Sequence, residues 1–461
     1  MLLLEASVLS DDEKDIVAYL RRRISDAERP MGRLDAYYEG SQRLEHIGIA
    51  VPPELRHFET VLNVPGMAVD EPTLRQRLRG FYRAGDSTRA DQALTEAWEY
   101  NNLDSESIVL HQEEKVFGRS FVSVHTNPED PENPRITVED PREIGYAVDP
   151  VTRRMQGMLR LWKGPFARAS SPTHGTLYLP GSTIHMVRDR RGWVVSDRDD
   201  HGLGVVPAVM FAHRRRAMSG RVEVGRSAMR DVIGLTDGIA RLLTNMQVGA
   251  ESHALPSYIL TGAAQGDFTD RDGKPIPVWE SYLTAIKAVS NENSRVFQIT
   301  AGDLKNFTDA INNMLAWCAS VLGLPTRYAG QQTVNPAAEG AIRADEVRLV
   351  TRVGQMSKFD GDAWAWVMGL HERFRTGEWG KPNTIRTLWY DPGTSTIAQT
   401  VDAAVKMRQV GAISVEGMWD MLDWDEARKN QERDRLSREG SADPIVKALS
   451  VSRMPDAPLN G

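Results

Sequence analysis

Gly273-Lys274-Pro275 is the nearest this chain comes to a phosphate-binding loop, and it fails. Such a loop needs successive backbone N–H groups around the phosphates and a Ser or Thr hydroxyl on magnesium; Pro275 removes an N–H and supplies no hydroxyl. Asp270-Arg271-Asp272-Gly273 has part of a calcium-loop pattern, but its first and twelfth ligand positions fall on Phe268 and Trp279. Without those two oxygens the segment reads as a solvated hairpin tip. There is no His-Glu-x-x-His and no Cys/His pair at metal spacing. The 10 histidines are scattered, and His111, His185 and His253 read as packed or surface residues rather than ligands. No Ser/His/Asp set sits at a nucleophile elbow. The expectation is a chain with no catalytic residues, no metal and no cofactor.

Two basic runs remain. Arg21-Arg22-Arg23 lies within a helical pattern, where three adjacent positions fan around the axis and make no single face. His213-Arg214-Arg215-Arg216 falls in a loop, where pairing with acidic neighbours in an assembly is favoured over phosphate contact. The chain as a whole is acidic, with formal net charge -7 over 461 residues. That disfavours a protein that grips phosphates in a sequence-specific way. A single cysteine, Cys318, excludes a disulfide within the chain and suits a reducing cytoplasm. The N-terminus shows no signal-peptide pattern, and no uninterrupted apolar run reaches the ~18 residues of a membrane span.

The periodicities predict an α+β chain. Ser10 with Glu13 makes a capping box for a helix over 10–29, with Ile16, Leu20 and Ile24 on its apolar face. Residues 70–117 read as largely helical, with Leu74, Leu78 and Phe81 marking the start. Alternation then predicts strands from about 118 to 211. A helix beginning near Gly225-Arg226-Ser227 carries Val232, Leu235, Ile239, Leu242 and Met246. After a turn-rich stretch comes a second helix with the stripe Leu304, Phe307, Ile311, Met314, Cys318 and Val321, closed by Gly323 and Pro325. Polar residues 326–336 precede a long helix over 337–374, and helical, charged segments follow the break at Asp391-Pro392-Gly393.

Several short segments, in order, resemble the phage portal family, specifically the branch found in siphophages of actinobacteria. They are Tyr37-Tyr38-Glu39-Gly40, Trp98 to Asp104, Gly118-Arg119-Ser120-Phe121, Glu139-Asp140-Pro141 and Asp149-Pro150. Further along stand Gly225-Arg226-Ser227, Leu322-Gly323-Leu324-Pro325, Asn335-Pro336-Ala337-Ala338-Glu339, Trp389-Tyr390-Asp391-Pro392 and Lys406 to Gly411. Each is weak alone; their order across residues 10–430 is specific. Pro336 stands where the family often has serine, and proline suits a first helical turn.

The resemblance implies a mainly helical portal fold with a β-rich wing, forming a twelve-fold ring at one capsid vertex of the virion, assembled in the host cytoplasm. Double-stranded DNA would pass through it, non-specifically, during packaging and ejection. Its implied partners are further copies of the chain, terminase, a head-completion adaptor, and the major capsid and scaffolding proteins, with no membrane. The implied divisions are a wing over 1–225, a first stem helix over 226–251, a clip over 252–301 and a second stem helix over 302–325. A tunnel loop with a long wing helix over 326–390, a crown over 391–440 and a tail over 441–461 complete them. Gln331, Gln332, Thr333 and Asn335 would face DNA, offering hydrogen bonds without charge. Asp267, Asp270, Arg271, Asp272 and Lys274 would meet terminase or the adaptor, and the Leu304–Val321 stripe would pack the stem. The alternatives are a phage DNA-processing enzyme, such as a nuclease or terminase component, and a capsid-associated scaffold without a channel. The first needs a carboxylate cluster for metal ions, and a motor needs a P-loop.

Overall fold

The computed structural model describes residues 9–43, 60–85, 91–166, 168, 171–190, 192–216, 225–253, 258–261, 295–298, 304–330, 339–380, 384–393, 397–422, 424 and 426–442.

Helix α1 (Asp11–Tyr38) starts at the expected capping box: Ser10 Oγ accepts from the Glu13 amide, and the Glu13 carboxylate accepts from the Ser10 amide. It runs past residue 29, through Pro30, because its second half is packed. Met31 is buried, and the Tyr37 hydroxyl donates to Asp237 Oδ1 at 2.8 Å. Helix α2 (Val64–Arg75) is capped by Asn63.

Residues 78–83 overturn the expectation of helix. They form strand β1 (Leu78–Arg83), paired antiparallel with β12 (Ile385–Trp389), Phe81 opposite Thr387. The i, i+3 spacing of Leu78 and Phe81 mimics a helix turn, and the partner that fixes the true state lies far along the chain. Helices α3 (Gln92–Tyr100) and α4 (Leu103–Phe117) follow. Gly118, at φ 82°, ends α4 with a left-handed turn that glycine adopts at no steric cost.

The expected β-rich section holds two antiparallel sheets. One has three strands in the order β3 (Arg135–Glu139), β2 (Arg119–His125), β9 (Ala208–Ala212). The other is a five-stranded meander of β4 (Ile144–Val148), β5 (Met155–Trp162), β6 (His174–Tyr178), β7 (Thr183–Asp189) and β8 (Gly192–Asp199). Phe121, Ile144, Tyr146, Met158 and Tyr178 fill the space between the sheets. The first half of α1 covers the meander through Val17 and Leu20. It lies so close that a Cβ on Gly145 would meet the Leu20 carbonyl oxygen at 2.1 Å.

After a short 3-10 turn over Ala228–Asp231 come helix α5 (Ile233–His253), strands β10 (Tyr258–Thr261) and β11 (Arg295–Gln298), and helix α6 (Lys305–Leu322). The long helix α7 (Glu339–Thr376) then crosses two cores. Its Leu349 and Val353 join Met31, Val69, Ile239 and Ile311; its Trp364, Val367 and Met368 join Phe81, Trp98, Leu110 and Phe211. Helices α8 (Ile397–Gln409), α9 (Val415–Met421) and α10 (Glu426–Ala442) end the described chain. No helix among the described residues is long and apolar enough to cross a membrane.

Candidate functional site

Helices α5 and α6 pack against each other. A Cβ on Gly238 would meet Met314 Cε at 2.7 Å, and one on Gly249 would meet Leu304 Cδ2 at 3.5 Å. Rising positions on one helix face falling positions on the other, so the pair is antiparallel. The two glycines let the helices approach closely. Between them β10 pairs with β11, Tyr258 opposite Gln298 and Thr261 opposite Arg295, which ties the insert at its root. Asp267, Asp270, Arg271, Asp272 and Lys274 lie outside the described residues.

The α6 stripe is present with one correction. Ile311 and Cys318 are buried, Met314 packs on the same core, and Leu304 and Phe307 are half-buried. Val321 is 42% exposed, and Ala319 and Leu322 are buried at the stripe's end. At 3.6 residues per turn, the face through Ile311 and Cys318 continues to 322 rather than 321. Trp317 and Val321, i and i+4, form a second apolar strip that a single subunit leaves uncovered. Lys305, Asp309, Asn312 and Asn313 are exposed.

The chain leaving α6 is anchored before residue 331. Gly323, at φ 68°, turns it, a 3-10 turn spans Thr326–Ala329, and Gly330 ends that turn at φ 81°. Three groups converge there on Glu346 of α7, which is 3% exposed. Arg75 Nη2 donates to Tyr328 Oη at 2.8 Å, and Tyr328 Oη donates to Glu346 Oε1 at 3.0 Å. Arg327 and Arg75 both pair with the same carboxylate, and Arg75 Nη1 donates to the Pro392 carbonyl at 2.9 Å. This network pins both roots of the 331–338 segment, one at Tyr328 and the other on α7, to α2. Gln331, Gln332, Thr333 and Asn335 lie outside the described residues.

Of the second basic run, Arg214 meets acid in its own chain and not across an assembly: it pairs with Asp231 at 2.5 Å, and Arg226 shares that carboxylate. His213 is buried, which holds its imidazole down at about 3.

A further cluster escaped the sequence. His111, Glu114 and Lys115 of α4 and Asp360 of α7 are all buried, with Gln76 beside them. Lys115 Nζ donates to Gln76 Oε1 at 2.7 Å and to the His111 carbonyl at 2.9 Å. Gln76 Nε2 donates to Asp360. His111 Nδ1 stands 3.5 Å from Asp360 Oδ2 and 3.8 Å from Glu114 Oε2. Three ligand-type atoms within 4.8 Å of one another have the spacing of a metal centre. The hydrogen bonding argues otherwise. Trp364 Nε1 donates to His111 Nε2 at 3.3 Å, and an indole nitrogen can only donate. Nε2 is therefore the accepting nitrogen, Nδ1 carries the proton, and its lone pair is not free for a cation. The polar spacing 111, 114, 115 inside an apolar helix was the available signal; the partner on α7 was not visible locally.

Comparison with known proteins adds the context. The family described as phage portal protein, SPP1 Gp6-like, matches residues 29–443. A portal protein of Mycobacterium phage D29 is 31% identical over 434 residues, covering 89% of this chain and 88% of that one. One of Mycobacterium phage L5 is 30% identical over 456 residues, covering 94% and 92%.

Proposed function

Since this chain belongs to the phage portal protein family, SPP1 Gp6-like, we propose that it works as one subunit of a twelve-fold ring at a capsid vertex. Double-stranded DNA would enter and leave through that ring. The family is one of structural head-to-tail connectors, and the reading is of a conduit rather than an enzyme. The match over residues 29–443 carries the reading.

The geometry supports a division of labour. The antiparallel pair α5 and α6 suits the stem (226–251 and 302–325), and the insert tied by β10 and β11 suits the clip (252–301). The clip's charged tip, Asp267 to Lys274, would make the transient polar contact with terminase and then with a head-completion adaptor. The two sheets with α1 to α4 fit the wing (1–225), and residues 326–390 supply the tunnel loop and the wing helix α7. The crown would follow over 391–440, and the tail over 441–461. Capsid and scaffolding proteins would meet the outside of the ring, in a virion assembled in the host cytoplasm. The neutral side chains Gln331, Gln332, Thr333 and Asn335 would touch phosphates without displacing their counterions, so DNA slides instead of sticking.

Electron microscopy of the purified full-length chain tests this. The expected image is a ring with a central hole. A monomer that cuts DNA with magnesium would overturn the reading in favour of a DNA-processing enzyme.

A further inference from the structure

The seam between α4 and α7 holds two carboxyl groups, one amine and one imidazole, all buried: Glu114, Asp360, Lys115 and His111. Burial lowers the His111 imidazole and the two carboxyls beside it raise it, with the net direction upward; the Trp364 indole, which can only donate to Nε2, opposes that charge and keeps the ring neutral with its Nδ1–H turned toward both carboxyl groups. One positive charge, on Lys115, is then available to balance two potential negatives. Two like charges this close in a dry site do not both ionise, so one carboxyl keeps its proton. Asp360 is the better placed to be the anion, because Gln76 donates to it and His111 lies nearest to it. Glu114 Oε2 finds no hydrogen-bond partner among the described residues. The proton belongs on Glu114.

We propose that the α4–α7 seam is a proton-dependent latch: it stays closed while Glu114 is protonated, and its opening releases that proton. The closed seam is electrically balanced, with Lys115 against Asp360. Loss of the Glu114 proton would leave a second, uncompensated carboxylate in the core, which favours opening to water. The groups facing it are His111 and Lys115 on α4, Asp360 on α7, Gln76 after α2 and His213 after β9. The uncharged rings of Phe211, Trp364 and Trp389 close the sides around His111. Burial, reinforced by Asp360, raises the Glu114 carboxyl to about 7. A raised carboxyl stabilises the closed state fully below its unfolded value of 4.5 and loses that contribution as pH rises through about 7. The latch acts on the helix that leads away from residues 331–338, yet its chemistry does not depend on what those residues contact.

Hydrogen–deuterium exchange of assembled full-length protein tests the idea, with rates normalised to intrinsic exchange. Peptides from α4 (103–117) and from the middle of α7 are compared in wild type and Glu114→Gln. The wild-type opening constant, divided by that of the variant, should rise about tenfold per pH unit between about 5 and about 7 and then level off. Peptides of the β4–β8 meander should show no such ratio. Glu113, a neighbouring carboxyl that burial also raises to about 7, makes its own contribution, so the comparison is repeated in a Glu113→Gln background, where the Glu114→Gln ratio should rise in the same way. A flat ratio for Glu114→Gln in either background would overturn the proposal. If Glu114→Gln fails to fold, Glu113→Gln decides: the opening constant of its α4 peptides, divided by that of its meander peptides, should still rise with pH between about 5 and about 7, and a flat ratio refutes the latch.

Discussion

Gly118 and Gly225 meet where the chain passes from the two β-sheets toward α5. A Cβ on Gly225 would stand 1.7 Å from the Gly118 carbonyl oxygen, and one on Gly118 would stand 2.8 Å from the Arg226 backbone. That carbonyl accepts from the His213 amide at 3.0 Å, and the His213 carbonyl accepts from the Arg226 amide at 2.9 Å. Three distant stretches are thus bonded through main chain, which cannot step aside as a flexible side chain can. Gly225→Ala is expected to destabilise the fold by about 1–3 kcal/mol or more, as overpacking does. Gly354, inside α7, gives the contrast, since a Cβ there would meet nothing within 4 Å. Gly354→Ala should stabilise by roughly 0.5–1 kcal/mol through helix propensity. Urea unfolding of the two variants checks both signs; a neutral Gly225→Ala would remove the crossing as a constraint. The two family-like segments Gly118-Arg119-Ser120 and Gly225-Arg226-Ser227 were legible as motifs. That they touch was not, because nothing in a linear pattern records which backbones approach.

At the scale of elements, α6 shows two faces with different duties. Leu322 is 4% exposed in the subunit's own core, while its neighbour Val321 stands outside with Trp317. Leu322→Ala should cost about 2–5 kcal/mol of unfolding free energy, as a buried truncation does. Val321→Ala should change it by less than about 0.5 kcal/mol, yet lower the fraction of protein found in rings. Urea unfolding and mass photometry separate these effects. Equal destabilisation by both would place Val321 in the subunit core after all. The stripe was readable from Ile311 to Cys318 because a 3-then-4 spacing tracks a helix closely over two turns. It slipped at the end, where the choice between i+3 and i+4 depends on what lies opposite. The capping box at Ser10 was readable because all its atoms come from four adjacent residues. Strand β1 was not, since its hydrogen bonds come from β12. Likewise the sequence left His111 as packed or at the surface; it is buried, and the Asp360 beside it sits on another helix.

The whole molecule carries formal net charge -7, and twelve copies in a ring would surround DNA with a strongly acidic wall. If that charge lines the channel and the uncharged amides of Gln331 and Gln332 reach the duplex, as proposed, both lead to the same behaviour: weak, nearly salt-independent contact. Binding of short duplex DNA to purified rings should therefore show a slope of log affinity against log salt close to zero. Replacing both residues (Gln331→Lys with Gln332→Lys) should leave ring formation intact and steepen the slope by about 0.9 for each phosphate engaged. The same variant should slow packaging, because every released counterion must be recaptured as DNA advances. A steep slope already present in wild type would mean that cations elsewhere in the ring grip the duplex. Arg214 and Arg226 are poor candidates for that, since Asp231 already pairs with both. The salt slope thus tests the sliding mechanism through the assembled ring, a property that no single subunit's contacts can report.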